Sequence, residues 1–125
     1  LPVRAATLLM LHDANHHVLL VQRPPTGIWG GLWSFPECPV DHNIQDWCEQ
    51  KMRCRIDSME AWPVLRHTFS HFHLDITPMH ARAQHTTAVM EAGTSVWYNP
   101  SSPPALGLAA PVQRLLRQLA GDTIT

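Results

Sequence analysis

The stretch Gly31-Leu32-Trp33-Ser34-Phe35-Pro36-Glu37 decides how the rest of this chain is read. It sets a glycine and a glutamate apart by five residues, just ahead of a helical pattern. Upstream, Trp29-Gly30 completes a run with two glycines between two tryptophans, which predicts a tight backbone path beside large rings. Leu32–Phe35 reads as a short strand that Pro36 ends. Downstream, Ile44, Trp47, Cys48 and Met52 recur at i, i+3, i+4 and i+8, one face of a helix over Asn43–Cys54. Asn43 is placed to cap it. Asp46 falls in the first turn, where the positive helix end favours a carboxylate.

Working outward, residues 3–11 (VRAATLLML) are almost all apolar and too short for an independent helix, so they predict a strand buried on both faces. His12-Asp13-Ala14-Asn15 is a turn, and His17–Gln22 a second strand, giving a hairpin. Arg23-Pro24-Pro25-Thr26-Gly27 stops it. Ala61–Phe69 reads as a strand that tolerates Pro63 near its start. In the next segment Phe72, Leu74 and Ile76 alternate with His71, His73, Asp75 and Thr77, a period of two with one buried face. Val96-Trp97-Tyr98 is a short final strand. A proline-rich loop over 99–111 leads to an amphipathic helix marked by Val112, Leu115, Leu116 and Leu119, with Gly121 placed to end it. The expectation is an α+β fold, a mixed β-sheet core with two main helices, over residues 1–125 as one domain.

At 125 residues, 45% hydrophobic and 15% charged, the chain has enough apolar material for one core and is not disordered by composition. No apolar run reaches the ~20 residues of a membrane span. The net charge of −1 with His neutral argues against a free-standing, non-specific nucleic-acid binder, which carries a basic footprint. Cys38, Cys48 and Cys54 fit reduced, intracellular thiols better than a disulfide framework, and Cys48 and Cys54, on the helix, read as buried structural thiols. Three thiols also fall one short of a four-cysteine cluster. The start at Leu1-Pro2-Val3 leads to the expectation of a piece of a longer protein.

The Gly31…Glu37 spacing and the helix behind it suggest the Nudix fold, whose hydrolases carry an Arg-Glu-x2-Glu-Glu helix that gathers divalent metal ions over a pyrophosphate. Here the segment is Gln45-Asp46-Trp47-Cys48-Glu49-Gln50. Gln45 stands for the arginine, Asp46 for the first glutamate, and Gln50, a neutral amide, for the last. Only Glu49 and Asp46 keep a carboxylate. Gly31, Glu37, Asp46 and Glu49 are thus a degenerate box. The spacing supports the fold while the residues argue against the hydrolysis.

A second cluster is Arg66-His67-Thr68-Phe69-Ser70-His71-Phe72-His73. It puts cations, hydroxyls and phenyl rings in one turn, a set suited to reading a base. Phe69 can press on a base step, Ser70 can donate or accept, and Arg66, His67 and His71 can approach phosphates. The competing reading is a hairpin with phenyl rings in the core and solvated histidines. His71, His73 and Asp75 on one strand face have metal-ligand chemistry, but a polar strand face explains them more simply, and no metal is assigned.

Three stretches together resemble one family: 18–37 (VLLVQRPPTGIWGGLWSFPE), 66–76 (RHTFSHFHLDI) and 97–116 (WYNPSSPPALGLAAPVQRLL). They are similar to the C-terminal, Nudix-like domain of adenine DNA glycosylases of the MutY type. The resemblance weakens over 38–62 and 83–95. It implies a non-catalytic, 8-oxoguanine-recognition domain of an N-glycosyl hydrolase for base excision repair, which removes adenine mispaired with 8-oxoguanine. The Phe69-Ser70-His71 turn takes the recognition role, with Arg66 and His67 beside it. The resemblance also implies that the catalytic residues and a [4Fe–4S] cluster belong to a separate N-terminal half, with no catalytic residue and no cofactor in these residues. The implied partners are that half and double-stranded DNA holding 8-oxoguanine opposite adenine, in a bacterial cytoplasm at the nucleoid, with no membrane contact. Two other readings are a divergent Nudix hydrolase of oxidised nucleotides and a protein-interaction module using the tryptophans and the proline-rich loop.

Overall fold

The computed structural model describes residues 1–84 and 94–121. Its strands are β1 (Val3–His12), β2 (Val18–Gln22), β3 (Trp33–Ser34), β4 (Glu37–Cys38), β5 (Ile56–Ala61), β6 (Leu65–Thr68), β7 (His73–Ala83) and β8 (Ser95–Tyr98). Helix α1 (Ile44–Trp47) runs on into a π-helical turn, Cys48–Met52, and α2 spans Ala110–Leu119. The strands form one mixed sheet with β3-β2-β1-β7-β5 as its backbone. The central pair, β1 with β7, is parallel over its whole length, from Val3 opposite His73 to His12 opposite Arg82.

The apolar run in β1 is buried on both faces, as its composition demands. Ala6, Leu8 and Met10 pack with Leu20, Phe35, Ile76 and the α2 residues Val112 and Leu115. Leu9 and Leu11 point the other way and pack with Leu19, Ile56, Ala81 and Cys48 of the first helix. The sheet therefore lies between the two helices, in agreement with the α+β expectation. Asn43 caps α1, its Oδ1 accepting from the Asp46 N–H at 3.0 Å. The helical segment stops earlier than Cys54, at Arg53, which takes the left-handed conformation at φ +53°.

The expected β1–β2 hairpin is present but short, and one strand expectation is corrected. The β1–β2 hairpin closes only at its turn, through the His12–Val18 pair. Asp13 builds that turn, its Oδ1 accepting from the Asn15 and His17 N–H groups at 2.9 Å each. Beyond it, β4 takes the edge of β1 while β2 pairs with β8 and β3. The strand expected over Ala61–Phe69 is two strands. β5 ends at Ala61 and β6 begins at Leu65, and both pair with β7. The break faces Pro78, whose carbonyl accepts from the Trp62 N–H at 2.9 Å. Pro78 has no N–H to return, and Pro63 none to offer, so the ladder bulges between them. Of the stretch 83–95, residues 85–93 lie outside the described residues.

Candidate nucleic-acid interface

The β6–β7 hairpin presents the second cluster. Thr68 pairs with His73, and the Phe69 N–H donates to the Phe72 carbonyl at 2.8 Å. Ser70 and His71 are thereby left at the centre of a tight turn, both exposed. Of the rings behind them Phe72 is buried, and Phe69, His67 and Trp29 are half-buried. Phe69 stacks on Phe72 with centroids 4.7 Å apart and meets the His67 ring edge-on at 4.8 Å. Trp29 closes the group, 5.7 Å from Phe69 and 5.8 Å from His67. Guanidinium groups cap its ends, Arg4 at 4.3 Å over Phe72 and Arg23 at 5.6 Å over Trp29. Such ring pairs add about 0.5–1.5 kcal/mol each beyond burial, so the stack supports the turn. Phe69 belongs to the base of the turn, and Ser70 and His71 to its tip.

Arg66 lies on β6 opposite Asp75. Its Nε donates to Oδ1 at 2.7 Å and one Nη to Oδ2 at 3.0 Å, a bidentate pair. These hydrogen bonds hold the Asp75 carboxyl below its usual range and raise the guanidinium. His73 is occupied as well, its Nδ1 hydrogen-bonded to Thr68 Oγ1 at 2.8 Å. His71 sits in the turn, not on the strand, so His71, His73 and Asp75 do not share a strand face.

The residues of the degenerate box are placed by structural contacts. Gly31 takes φ +75°, which serves the tight path, and its N–H donates to Pro24. Glu37 pairs with Arg23 at 3.2 Å, and Glu49 with Arg55 at 3.1 Å. Asp46 is exposed in the first turn of α1. Gln45 binds the backbone of Ile56 through both ends of its amide, at 3.3 Å each. Among the described residues no three His, Cys, Asp or Glu side chains gather as metal ligands. With Gln50 neutral and Glu49 committed to Arg55, this donor set does not fit a divalent metal centre. The thiols are buried and free. Burial, helped by Cys54, pushes Cys48 up to about 12.

The sequence profile of the NUDIX domain family matches residues 6–118. This chain belongs to that family. Within it, the NUDIX chain is similar to the adenine DNA glycosylase of Buchnera aphidicola subsp. Acyrthosiphon pisum (strain APS), at 28% identity over 117 residues. That alignment covers 93% of this chain and 33% of the relative, so the chain spans about a third of the relative's length. Among solved structures, the C-terminal domain of mouse MUTYH, in complex with human PCNA, matches with TM-score 0.68 at 17% identity. It covers 94% of this chain and 87% of that one. The MutT NUDIX hydrolase from Burkholderia pseudomallei matches with TM-score 0.71 at 16% identity, over 94% and 98% of the two chains. At these identities the solved structures show the NUDIX fold alone, while the Buchnera relative bears out the resemblance read from the sequence. None of the described helices is long and apolar enough to cross a membrane.

The turn is legible in the sequence, and its support is not. Arg4 and Trp29 come to the turn from distant segments, and only the β1–β7 register and the Gly30–Gly31 path bring them there. The glycines between two tryptophans were the one local signal.

Proposed function

We propose that this NUDIX domain is the lesion-reading part of an adenine DNA glycosylase that removes adenine opposite 8-oxoguanine. Ser70 and His71 meet the oxidised base, with Phe69, His67 and Arg66 behind them. The observation that carries this reading is the exposed Ser70–His71 tip on a base of stacked rings. The similarity to the Buchnera glycosylase supports it. Catalysis and any iron–sulfur cluster belong, on this reading, to a separate half of the enzyme.

The chemistry follows from the lesion. Guanine N7 is an acceptor. In 8-oxoguanine N7 carries a proton and O8 is a new acceptor. Ser70 Oγ accepts from N7–H, and the Ser70 hydroxyl or a backbone N–H in the turn donates to O8. Ordinary guanine sets its N7 lone pair against that acceptor. A base contact of this kind discriminates by about 1–3 kcal/mol. Tethering to a DNA-binding half raises the local concentration, so a weak contact in a domain of net charge −1 still adds selectivity.

The test is an amide-shift titration of the isotope-labelled chain with two duplexes, one with 8-oxoguanine opposite an uncleavable adenine analogue and one with guanine there. Lesion-dependent shifts centred on residues 66–73 are expected. Identical shifts with both duplexes, or none, overturn the reading.

A further inference from the structure

β5 closes one end of the sheet. It pairs with β7 on one side, and among the described residues nothing pairs with the other. The Trp62 N–H donates to the Pro78 carbonyl, which sets the phase of the ladder. In an antiparallel pair every second residue bonds across, so Trp62, Glu60 and Ser58 aim their backbone groups at β7. Met59 and Ala61, between them, aim theirs outward, and both residues are exposed. Sheet edges are commonly guarded by lysine or proline. Residues 56–62 hold neither, and the bulge in β5 falls earlier, between Ile56 and Ser58.

The side chains along this edge alternate as well. Glu60 stands opposite His80, while Trp62 meets the His80 ring at 5.5 Å and packs on the core beneath α2. Glu60 and Trp62 therefore share the face that carries α2. At Trp62 that face opens into a cavity of about 240 Å³, walled by Trp62, Pro63, Val64, Leu65 and Leu115, with Arg114 also lining it.

We propose that the outer edge of β5 binds an extended peptide as an added strand, and that it selects a basic residue and an apolar residue two positions apart. Backbone bonds to Met59 and Ala61 supply affinity, and side chains on the α2 face supply specificity. The peptide residue opposite Glu60 meets a carboxylate, which fits lysine or arginine. The residue two positions on lies beside Trp62 and enters the cavity. The walls there suit a leucine-sized side chain, and Arg114 repels a second cation. A second copy of this chain suits the edge less well, because the register that joins Met59 to Ala61 of the copy sets Glu60 opposite Glu60. The proposal is independent of lesion reading and uses none of residues 66–73.

The experiment titrates the isotope-labelled chain with a blocked synthetic peptide in which threonine alternates with lysine, leucine and lysine. The peptide has the same order of residues in both directions, so either strand polarity is served. Binding is expected to slow hydrogen exchange at the Met59 and Ala61 amides and to shift the amides of residues 58–65. Glu60→Gln is expected to weaken binding by roughly two- to five-fold, with the difference fading at high salt. Ala61→Pro deletes one outward N–H at a position where an edge strand tolerates proline, and is expected to weaken binding by roughly two- to ten-fold. Unchanged exchange at Met59 and Ala61 overturns the proposal, as does equal binding of a peptide with glutamate in place of both lysines. Concentration-dependent growth in mass by light scattering, lost in Ala61→Pro, gives the edge to a second copy and overturns it too. If Ala61→Pro does not fold, Glu60→Gln decides with the two peptides: full affinity of that variant for the lysine peptide refutes the selection of a basic residue.

Discussion

Gln45 grips both backbone atoms of Ile56: its Nε2 donates to the Ile56 carbonyl and its Oε1 accepts from the Ile56 N–H, each at 3.3 Å. The position is the one where a catalytic Nudix helix carries arginine. An arginine cannot accept, so the clasp requires the amide. It ties the first helix to the start of β5, where Ile56 enters the core with Leu9, Leu19 and Cys48. Removing it leaves a backbone N–H without a partner at a buried residue. Gln45→Ala is expected to destabilise the fold by about 1–2 kcal/mol in urea unfolding. Gln45→Arg, which restores the motif letter, is expected to lose at least as much and to gain no hydrolysis. A Gln45→Arg protein as stable as the wild type refutes the clasp.

Gly30 controls the position of Trp29. A Cβ at Gly30 would lie 2.5 Å from the Pro25 carbonyl oxygen and 3.0 Å from its carbon, backbone atoms that cannot rotate aside. Trp29 itself is held at φ +54°, a strained conformation for a bulky residue. Gly30→Ala must therefore move the loop and pull the Trp29 ring off Phe69 and His67. The expected result is a loss of about 1–3 kcal/mol in stability together with amide-shift changes at His67, Phe69 and Ser70. Changes confined to residues 25–31 would show that the tryptophan does not support the turn.

These two cases mark what the sequence could disclose. Capping by Asn43, the helix face through Cys48 and the two-sided burial of residues 3–11 rest on local pattern, and local pattern suffices for them. The split of the 61–69 strand does not. It depends on Pro63 meeting Pro78 across a ladder, and only the register supplies that. The loss of the Nudix arginine was legible at Gln45, but the clasp on Ile56 was not, because its partner is another strand's backbone. At the turn, the residue types of Phe69-Ser70-His71 were legible. Which of them sit at the tip depends on Arg4, Trp29 and Phe72, whose convergence has no one-dimensional signature.

His12 and His80 pack with ring centroids 4.6 Å apart at the far end of the sheet. His12 Nδ1 is buried without a hydrogen-bond partner among the described residues. Burial lowers both groups below the usual 6.5. His80, His16 and Arg82 lower His12 further against Asp13, while Glu60 opposes the shift at His80. A base with a depressed folded pKa binds its proton more readily when unfolded. Stability is therefore complete above 6.5 and declines as pH falls below it toward the folded values. The melting temperature is expected to be a few degrees lower at about pH 5.5 than at about pH 7.5, with a smaller difference in His80→Gln. Equal pH dependence in the variant would exclude this pair as the source.

Asp75 acts on Arg66 in two opposed ways. It fixes the guanidinium through two hydrogen bonds, and it cancels the charge that a phosphate would meet. The pair is exposed, so its contribution to folding is small. The charge effect reaches further, because on the proposed lesion-reading function Arg66 faces DNA, and a carboxylate beside it repels the duplex at any register. Asp75→Asn keeps the side chain's shape and one acceptor oxygen for Arg66 while removing the charge. It is expected to tighten binding of damaged and undamaged duplexes alike, by roughly two- to five-fold at low salt, with the gain shrinking as salt screens it. Asp75→Ala removes orientation as well as charge and should gain less. If Asp75→Asn weakens binding, orientation of Arg66 outweighs its charge, and Asp75 is a positioning residue of the interface.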